Sequence, residues 1–300
     1  MTKPSLEQAY DYCQQLARSH YENFPVASFL LPKSLRRPIS VIYAFARTAD
    51  DFADEGPLRQ TERLHRLDSF SNELEQIDKY HYQGNDPIFI ALEDVISRHR
   101  LPVKLFHDLL TAFKQDVIKS RYADFSEVLD YCHYSADPVG RLLLHLTISP
   151  SEHQLQQSDA VCTSLQLINF YQDIVQDYRE QDRIYIPQDE LSAAGLKEHD
   201  LVANNSESIA VVIRSLYRRT ARLMQQGYLL GASLRGRMGW EVRAMTLGGI
   251  TTLHRLLQQT DDNLLSRPRL SKTQMLMILG RSASPQVYRR HCERLMSSMF

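Results

Sequence analysis

The sequence predicts a single all-α domain of many long helices, larger than a four-helix bundle. Two observations carry this. The 11 glycines and 12 prolines fall mostly between periodic apolar runs, where they punctuate helices rather than interrupt them. One strand-like piece, "DRIYIP" at 182–187, stands alone, and a lone strand makes no sheet. In chain order the first helix reads 5–22, followed by the turn "FPVASFLLPKSLRRP". The second reads 34–54 and stops before Gly56 and Pro57. Charged 59–79 is the third, and 86–98 and 102–119 follow, separated by Pro102. Then come 125–147, kinked at Pro138, and 152–178, after Pro150. The last are 188–194, 206–232, 236–262 and 284–297, with "LLSRPRLSKTQ" as a loop near the C-terminus. The domain spans 1–300, and 263–300 is expected at its periphery.

Composition excludes several classes. With 43% hydrophobic and 24% charged residues the chain is an ordinary globular one. A net charge of -1 leaves no electrostatic footprint for nucleic acid. The four cysteines are scattered without CxxC spacing, which suggests neither zinc nor a disulfide framework and fits a reducing cytoplasm. "MTKPSLEQAYDY" has no signal-peptide core. No apolar run approaches the roughly 20 residues of a membrane-spanning helix. The expected location is cytoplasmic, with at most a peripheral contact at the inner membrane face.

Two acidic stripes carry the chemistry. In "YAFARTADDFAD", Tyr43, Arg47, Asp50 and Asp54 fall at i, i+4, i+7 and i+11, one helix face, with Asp51 beside it. Ile42, Phe45, Ala46 and Ala49 cover the rest, and Glu55 reads as solvated. In "LQLINFYQDIVQDYREQDRIYIP", Gln166, Asn169, Asp173 and Asp177 sit at i, i+3, i+7 and i+11. Crowded carboxylates on apolar helices are costly unless a cation pairs them. Oxygen donors without Cys or His suit magnesium or manganese. Facing stripes would hold a diphosphate through such ions. One DxxxD alone reads more simply as a solvated helix face; two on apolar helices do not. A di-iron carboxylate site wants two ExxH motifs, and only Glu62 to His65 offers one. Arg47, Arg183 and Tyr185 supply positive charge and a hydrogen-bond donor for a leaving diphosphate. His20, in "ARSHYENF", reads equally as a contributor or as a helix-capping histidine.

These two stretches resemble the signatures of the squalene/phytoene synthase family, of the trans-isoprenoid synthase fold. The similarity runs from "ARSHYENF" through "FKQDVIKSRYADFSEVLDYCHYSADPVG" to about residue 260. The resemblance implies an all-α fold around a central cavity. It implies magnesium, several ions bridging diphosphate, on Asp50, Asp54, Asn169, Asp173 and Asp177, with Asp51 next to them. Arg47, Arg183 and Tyr185 would contact diphosphate. Phe24, Tyr43, Tyr131, Ser135, Val139, Leu165 and Gln166 would line the cavity, and the ring faces of Tyr43, Phe24 and Tyr131 would stabilise carbocations.

Within the family, "HYENFPVAS" and "INFYQD" are most similar to a bacterial subgroup of hopanoid pathways. That subgroup ionises presqualene diphosphate, rearranges the cation and captures it with water, a carbon–oxygen lyase reaction that uses no NADPH. The expected partners are presqualene diphosphate and neighbouring enzymes of the squalene pathway. The alternative is a head-to-head prenyltransferase joining two prenyl diphosphates, and after it a non-catalytic helical scaffold. Condensing members usually carry a Lys and an Arg where this chain has Glu22 and Gln172. Less positive charge at the diphosphate end suits one diphosphate rather than two; the other reading has both residues facing solvent. Ser135 replaces a small apolar residue, and its hydroxyl would hold the quenching water or else bond back to its own helix. Asp137 is read as bracing the kink, Asp116 and Tyr122 as structural, and Gly248-Gly249 as allowing close helix packing.

Overall fold

Pro and Gly punctuation, N-terminal caps and amphipathic faces produce helices throughout, and the computed structural model describes residues 3–19, 32–79, 81–203 and 207–300. The helices are α1 (Leu6–Ser19), α2 (Lys33–Asp54), α3 (Gln60–Lys79), α4 (Pro87–His99), α5 (Lys104–Ile118), α6 (Phe125–Ser135), α7 (Asp137–Thr147) and α8 (Glu152–Gln172). They continue as α9 (Ile174–Gln181), α10 (Gln188–Ala193), α11 (Asp200–Ala203), α12 (Glu207–Gly227), α13 (Leu230–Ser233), α14 (Gly236–Gln258), α15 (Lys272–Ala283) and α16 (Pro285–Ser297). Asp86 caps α4 by accepting from Ile88 N at 2.8 Å, with Pro87 at the first helical position. Asp124 does the same for α6, accepting from Glu127 N at 2.9 Å. The all-α class holds among the described residues, where the strand-like 182–187 makes one isolated bridge, Arg121 to Ile184.

The described chain groups into two compact units. The first comprises 1–119 and 138–151. Its centre is α2, which packs against α1, α3, α4 and α5. Phe45 of α2 meets Phe106 edge-on at 5.4 Å and Phe89 at 6.0 Å, while Phe70 meets Phe89 at 4.8 Å. Such edge-to-face contacts fix ring orientation beyond simple burial. Arg63 of α3 donates to the carbonyls of Phe52 (3.2 Å) and Gly56 (2.8 Å). A cation on the unpaired carbonyls offsets the negative end of α2, which is also its most acidic stretch.

The second unit comprises 120–137 and 152–300. Here α8 packs against α12, α14 and α6, and α14 carries α13, α15 and α16. Gly227 lets α12 approach α8: a Cβ there would strike the Gln157 carbonyl and the Val161 amide. Gly249 is similarly close to Leu165, whereas nothing lies within 4 Å of a Cβ on Gly248. Close packing therefore explains the second glycine of the pair and not the first.

Three sequence expectations about helices need correction. The 125–147 helix is two, broken at Ala136, because Pro138 lacks the amide that would continue it. Asp137 braces the break as expected: its Oδ1 accepts from Thr163 Oγ1 at 2.8 Å, and His133 Nδ1 lies 3.4 Å from Oδ2. The 152–178 helix also breaks, at Asp173, whose φ of -106° and ψ of 12° leave the helical region. Finally, α15 occupies a stretch with no expected helix. Its start is marked by Ser271 and Gln274, which form a capping box.

Candidate functional site

The first acid motif lies wholly in the first unit. Ile42, Tyr43, Ala46, Arg47 and Asp50 of α2 line a slot of about 210 Å³, closed by Leu109 and Phe113 of α5 and by Val139. The slot is apolar along its length and charged at the Arg47–Asp50 end. Tyr43, Arg47, Asp50 and Val139 were legible in the sequence; Leu109 and Phe113 were not, although their i, i+4 spacing on an apolar helix was the available signal.

Arg47 organises the acids. Its guanidinium is 2.6 Å from Asp51 and 3.4 Å from Asp50, and it also bonds Glu55. Glu55 is thus a partner of Arg47 rather than a merely solvated acid, a contact made when the chain turns after α2. Burial pushes the Arg47 pKa down, but Asp51, Asp50 and Glu55 outweigh it and the net direction is up. Burial also raises the Tyr43 hydroxyl, so both groups stay protonated near neutrality. Asp54 is exposed at the helix end and is not among the lining residues. His20, Phe24 and Glu22 lie outside the described residues.

The second motif lies in the second unit, across the α8–α9 break. Leu165 and Gln166 are half-buried and Asn169 is exposed. Asp173 pairs with Arg267 at 3.1 Å, a residue absent from the sequence expectation because its segment reads as plain loop. Gln172 Nε2 donates to the Pro268 carbonyl of the same segment at 3.4 Å, so it is not simply solvated. Burial raises the Asp173 carboxyl, with Arg267 opposing. Burial, and then the charge of Asp173, push Asp177 up to about 6. Just beyond, Arg183 is buried and donates to Gln181 Oε1 at 3.2 Å and Tyr185 Oη at 3.4 Å.

An aromatic cluster surrounds Tyr185. Phe170 stacks on it at 3.5 Å, Tyr122 at 5.5 Å, and Tyr131 lies 5.7 Å away. Tyr122 is a stacking partner here, in line with a structural role; Phe170 is an addition to the expected set. The half-buried Ser135 has no hydrogen-bond partner for its Oγ among the described residues. It does not bond back to its own helix, and a buried hydroxyl left unpaired is costly and calls for a ligand or water.

Among the described residues no three acids, histidines or cysteines are gathered closely enough to chelate an ion alone. The exposed Glu62 and His65 form no metal cluster either. Magnesium keeps several waters and is usually held through one or two carboxylates plus substrate phosphate, so neither motif has to chelate it alone. Burial raises the carboxyls of the partly buried Asp173 and Asp177, and a cation bound there would favour their charged form. The residues fit.

Residues 17–274 match the squalene/phytoene synthase family. The chain belongs to the squalene/phytoene synthase family. Among relatives in that family, a hydroxysqualene synthase of Rhodopseudomonas palustris is 37% identical over 271 residues, 90% of each chain. One of Sinorhizobium fredii is 35% identical, covering 85% of this chain and 86% of its own. The solved squalene synthase of Alicyclobacillus acidocaldarius superposes with a TM-score of 0.77 at 33% identity, covering 85% of this chain and 95% of its own. The family match runs through both units.

Proposed function

We propose that the protein acts as a hydroxysqualene synthase, converting presqualene diphosphate and water to hydroxysqualene and diphosphate. The observation that carries this is the slot along α2: apolar walls for a prenyl chain, ending at Arg47 and Asp50. The similarity to hydroxysqualene synthases over 85–90% of the chain supports the choice of substrate.

The C–O bond to diphosphate breaks with its electron pair leaving on oxygen. Arg47, always cationic, stabilises that developing charge. Asp50 and Asp54 of the first motif, and Asn169, Asp173 and Asp177 of the second, are the residues that would hold magnesium, which would supply further charge neutralisation. Asp51 stays with Arg47 and keeps its guanidinium oriented. Arg183 and Tyr185 are assigned to diphosphate, and Gln172 with Arg267 to the segment beside the second motif. Ile42, Leu109, Phe113 and Val139 keep bulk water from the cation, and the ring faces of Tyr43 and Tyr131 are assigned to stabilising it through their negative quadrupole. The cyclopropylcarbinyl cation rearranges and opens. Ser135 Oγ is assigned to hold the water whose lone pair captures it, and the resulting oxonium passes its proton to the released diphosphate.

A head-to-head condensation of two prenyl diphosphates is the second reading, favoured by the name of the Alicyclobacillus relative. One experiment separates them. The purified chain is incubated with magnesium and either presqualene diphosphate or farnesyl diphosphate, without reductant. Hydroxysqualene from the first substrate is expected. Consumption of farnesyl diphosphate alone, or squalene formed only with NADPH, would sink the proposal.

A further inference from the structure

The largest exposed apolar side chains of the chain include three in a row, Met275, Leu276 and Met277, on α15. Leu276 is 69% exposed, the most of any large apolar residue among those described. Val287 of α16 and Phe300 are exposed as well. This is no loose segment. The inner face of α15 is fixed: Ile278 and Ser282 are buried, and Trp240 Nε1 donates to the Leu279 carbonyl and to Ser282 Oγ, each at 3.0 Å. Arg243 Nε donates to the Ser282 carbonyl at 2.6 Å. With that face held, helical spacing turns Leu276 outward, in line with Lys272 one turn earlier.

Charge accompanies the apolar patch. Residues 263–300 hold seven of the 35 Lys and Arg but only one of the 36 acids, Glu293, so the rest of the chain is net acidic. Arg269, Lys272, Arg290 and Arg294 are all exposed. Val287, Arg290 and Arg294 share one stripe of α16. Three adjacent apolar residues spread around the helix more widely than the narrow ridge that docks into a protein groove. Flanked by basic side chains, they suit shallow burial at the acyl boundary of a negatively charged membrane.

We infer that α15, with the outer stripe of α16, is a docking surface for an anionic lipid bilayer. The segment leading into α15 touches the second acid motif through Arg267 on Asp173 and the Pro268 carbonyl on Gln172. Docking therefore brings a bilayer to the chain next to that motif. The inference rests on exposure and charge and stands apart from the proposed reaction.

The test is co-sedimentation of the full chain with vesicles, without substrate. Phosphatidylglycerol–phosphatidylethanolamine vesicles at about 0.1 M salt, where screening reaches only ~10 Å, pellet the protein; phosphatidylcholine vesicles do not. Leu276→Ser lowers partitioning about tenfold or more. Arg290→Glu with Arg294→Glu lowers it by roughly fivefold per charge. All variants keep wild-type melting and wild-type turnover of detergent-dispersed substrate. Equal binding to both vesicle types, no binding, or unchanged binding by the variants overturns the inference. So does a dimer that Leu276→Ser converts to monomer while vesicle binding stays unchanged, since a second copy would then cover the face. Because sedimentation needs no turnover, either reading can fail without the other.

Discussion

Asp50 shares Arg47 with two other carboxylates, and that sharing decides what its loss does. Asp51 and Glu55 remain on the guanidinium when Asp50 is neutralised. The structural cost of Asp50→Asn is then that of one partly exposed ion pair, about 0.2–1 kcal/mol. Turnover of presqualene diphosphate is expected to fall by about a hundredfold or more, on the scale of losing one charge-stabilising group, while the melting temperature barely moves. Marked unfolding in a thermal melt would instead make Asp50 structural. Ser135 is tested through its product. Its Oγ has no partner to lose among the described residues, so Ser135→Ala should fold as well as wild type and consume substrate at a similar rate. The ratio of alcohol to elimination products should shift, and an unchanged ratio by gas chromatography removes Ser135 from water capture. The Tyr43–Arg47–Asp50 alignment was legible because 34–54 is a regular helix and its period fixes the face. Glu55 and Arg267 were not, because each reaches its partner through a chain turn that periodicity does not describe.

Helix elements show where reading by period succeeds and where it stops. Helix ends set by Pro, Gly or a cap were legible, as at Asp86–Pro87 and Pro150. The Asp173 break was not, since "INFYQDIVQDY" has no Gly or Pro, and with it the ideal spacing from Gln166 to Asp177 is lost. The α6–α7 break was legible only as a kink, and its energetics rest on Asp137. Burial, and next the charge of Asp159, raise that carboxyl to about 7, while Thr163 and His133 pull the other way. A folded-state pKa above the ordinary carboxylate value means this contribution to stability is whole below about pH 4 and is lost as pH rises through about 7. The wild-type melting temperature should therefore decline between pH 5 and pH 8 more than that of Asp137→Asn, which keeps the Thr163 hydrogen bond without the charge. Parallel declines in both proteins would sink this assignment. Glycines give a second element-scale contrast. Gly227→Ala pushes a methyl into the backbone of α8 and should cost about 1–3 kcal/mol. Gly248→Ala meets open space in mid-helix and should stabilise by about 0.5–1 kcal/mol. Denaturant melts that rank the two alike would mean α8 yields to α12 more easily than the contacts imply.

At the scale of the whole molecule, each unit carries one acid motif with basic residues beside it. Arg47 and Arg63 serve the first, and Arg267 the second. The family and the all-α class were legible from motif spacing; the division of packing into two units and the exposed apolar face of α15 were not, since neither has a local sequence period. Clustered carboxylates make a whole-molecule prediction. Magnesium with inorganic diphosphate binds folded chain and not unfolded chain, so it must raise the melting temperature. At about a hundred times the dissociation constant the gain is ~2.7 kcal/mol, or roughly 5 °C for a chain of this size. Magnesium alone should give less, because it is usually held through one or two carboxylates with phosphate completing the site. Asp50→Asn and Asp173→Asn should each abolish most of the shift, and chelation of the metal should reverse it in the wild type. Differential scanning fluorimetry at millimolar ligand reads all five conditions. No shift in the wild type, or an equal shift in either variant, would mean that these acids do not hold the metal, and the assignment of both motifs would fall with it.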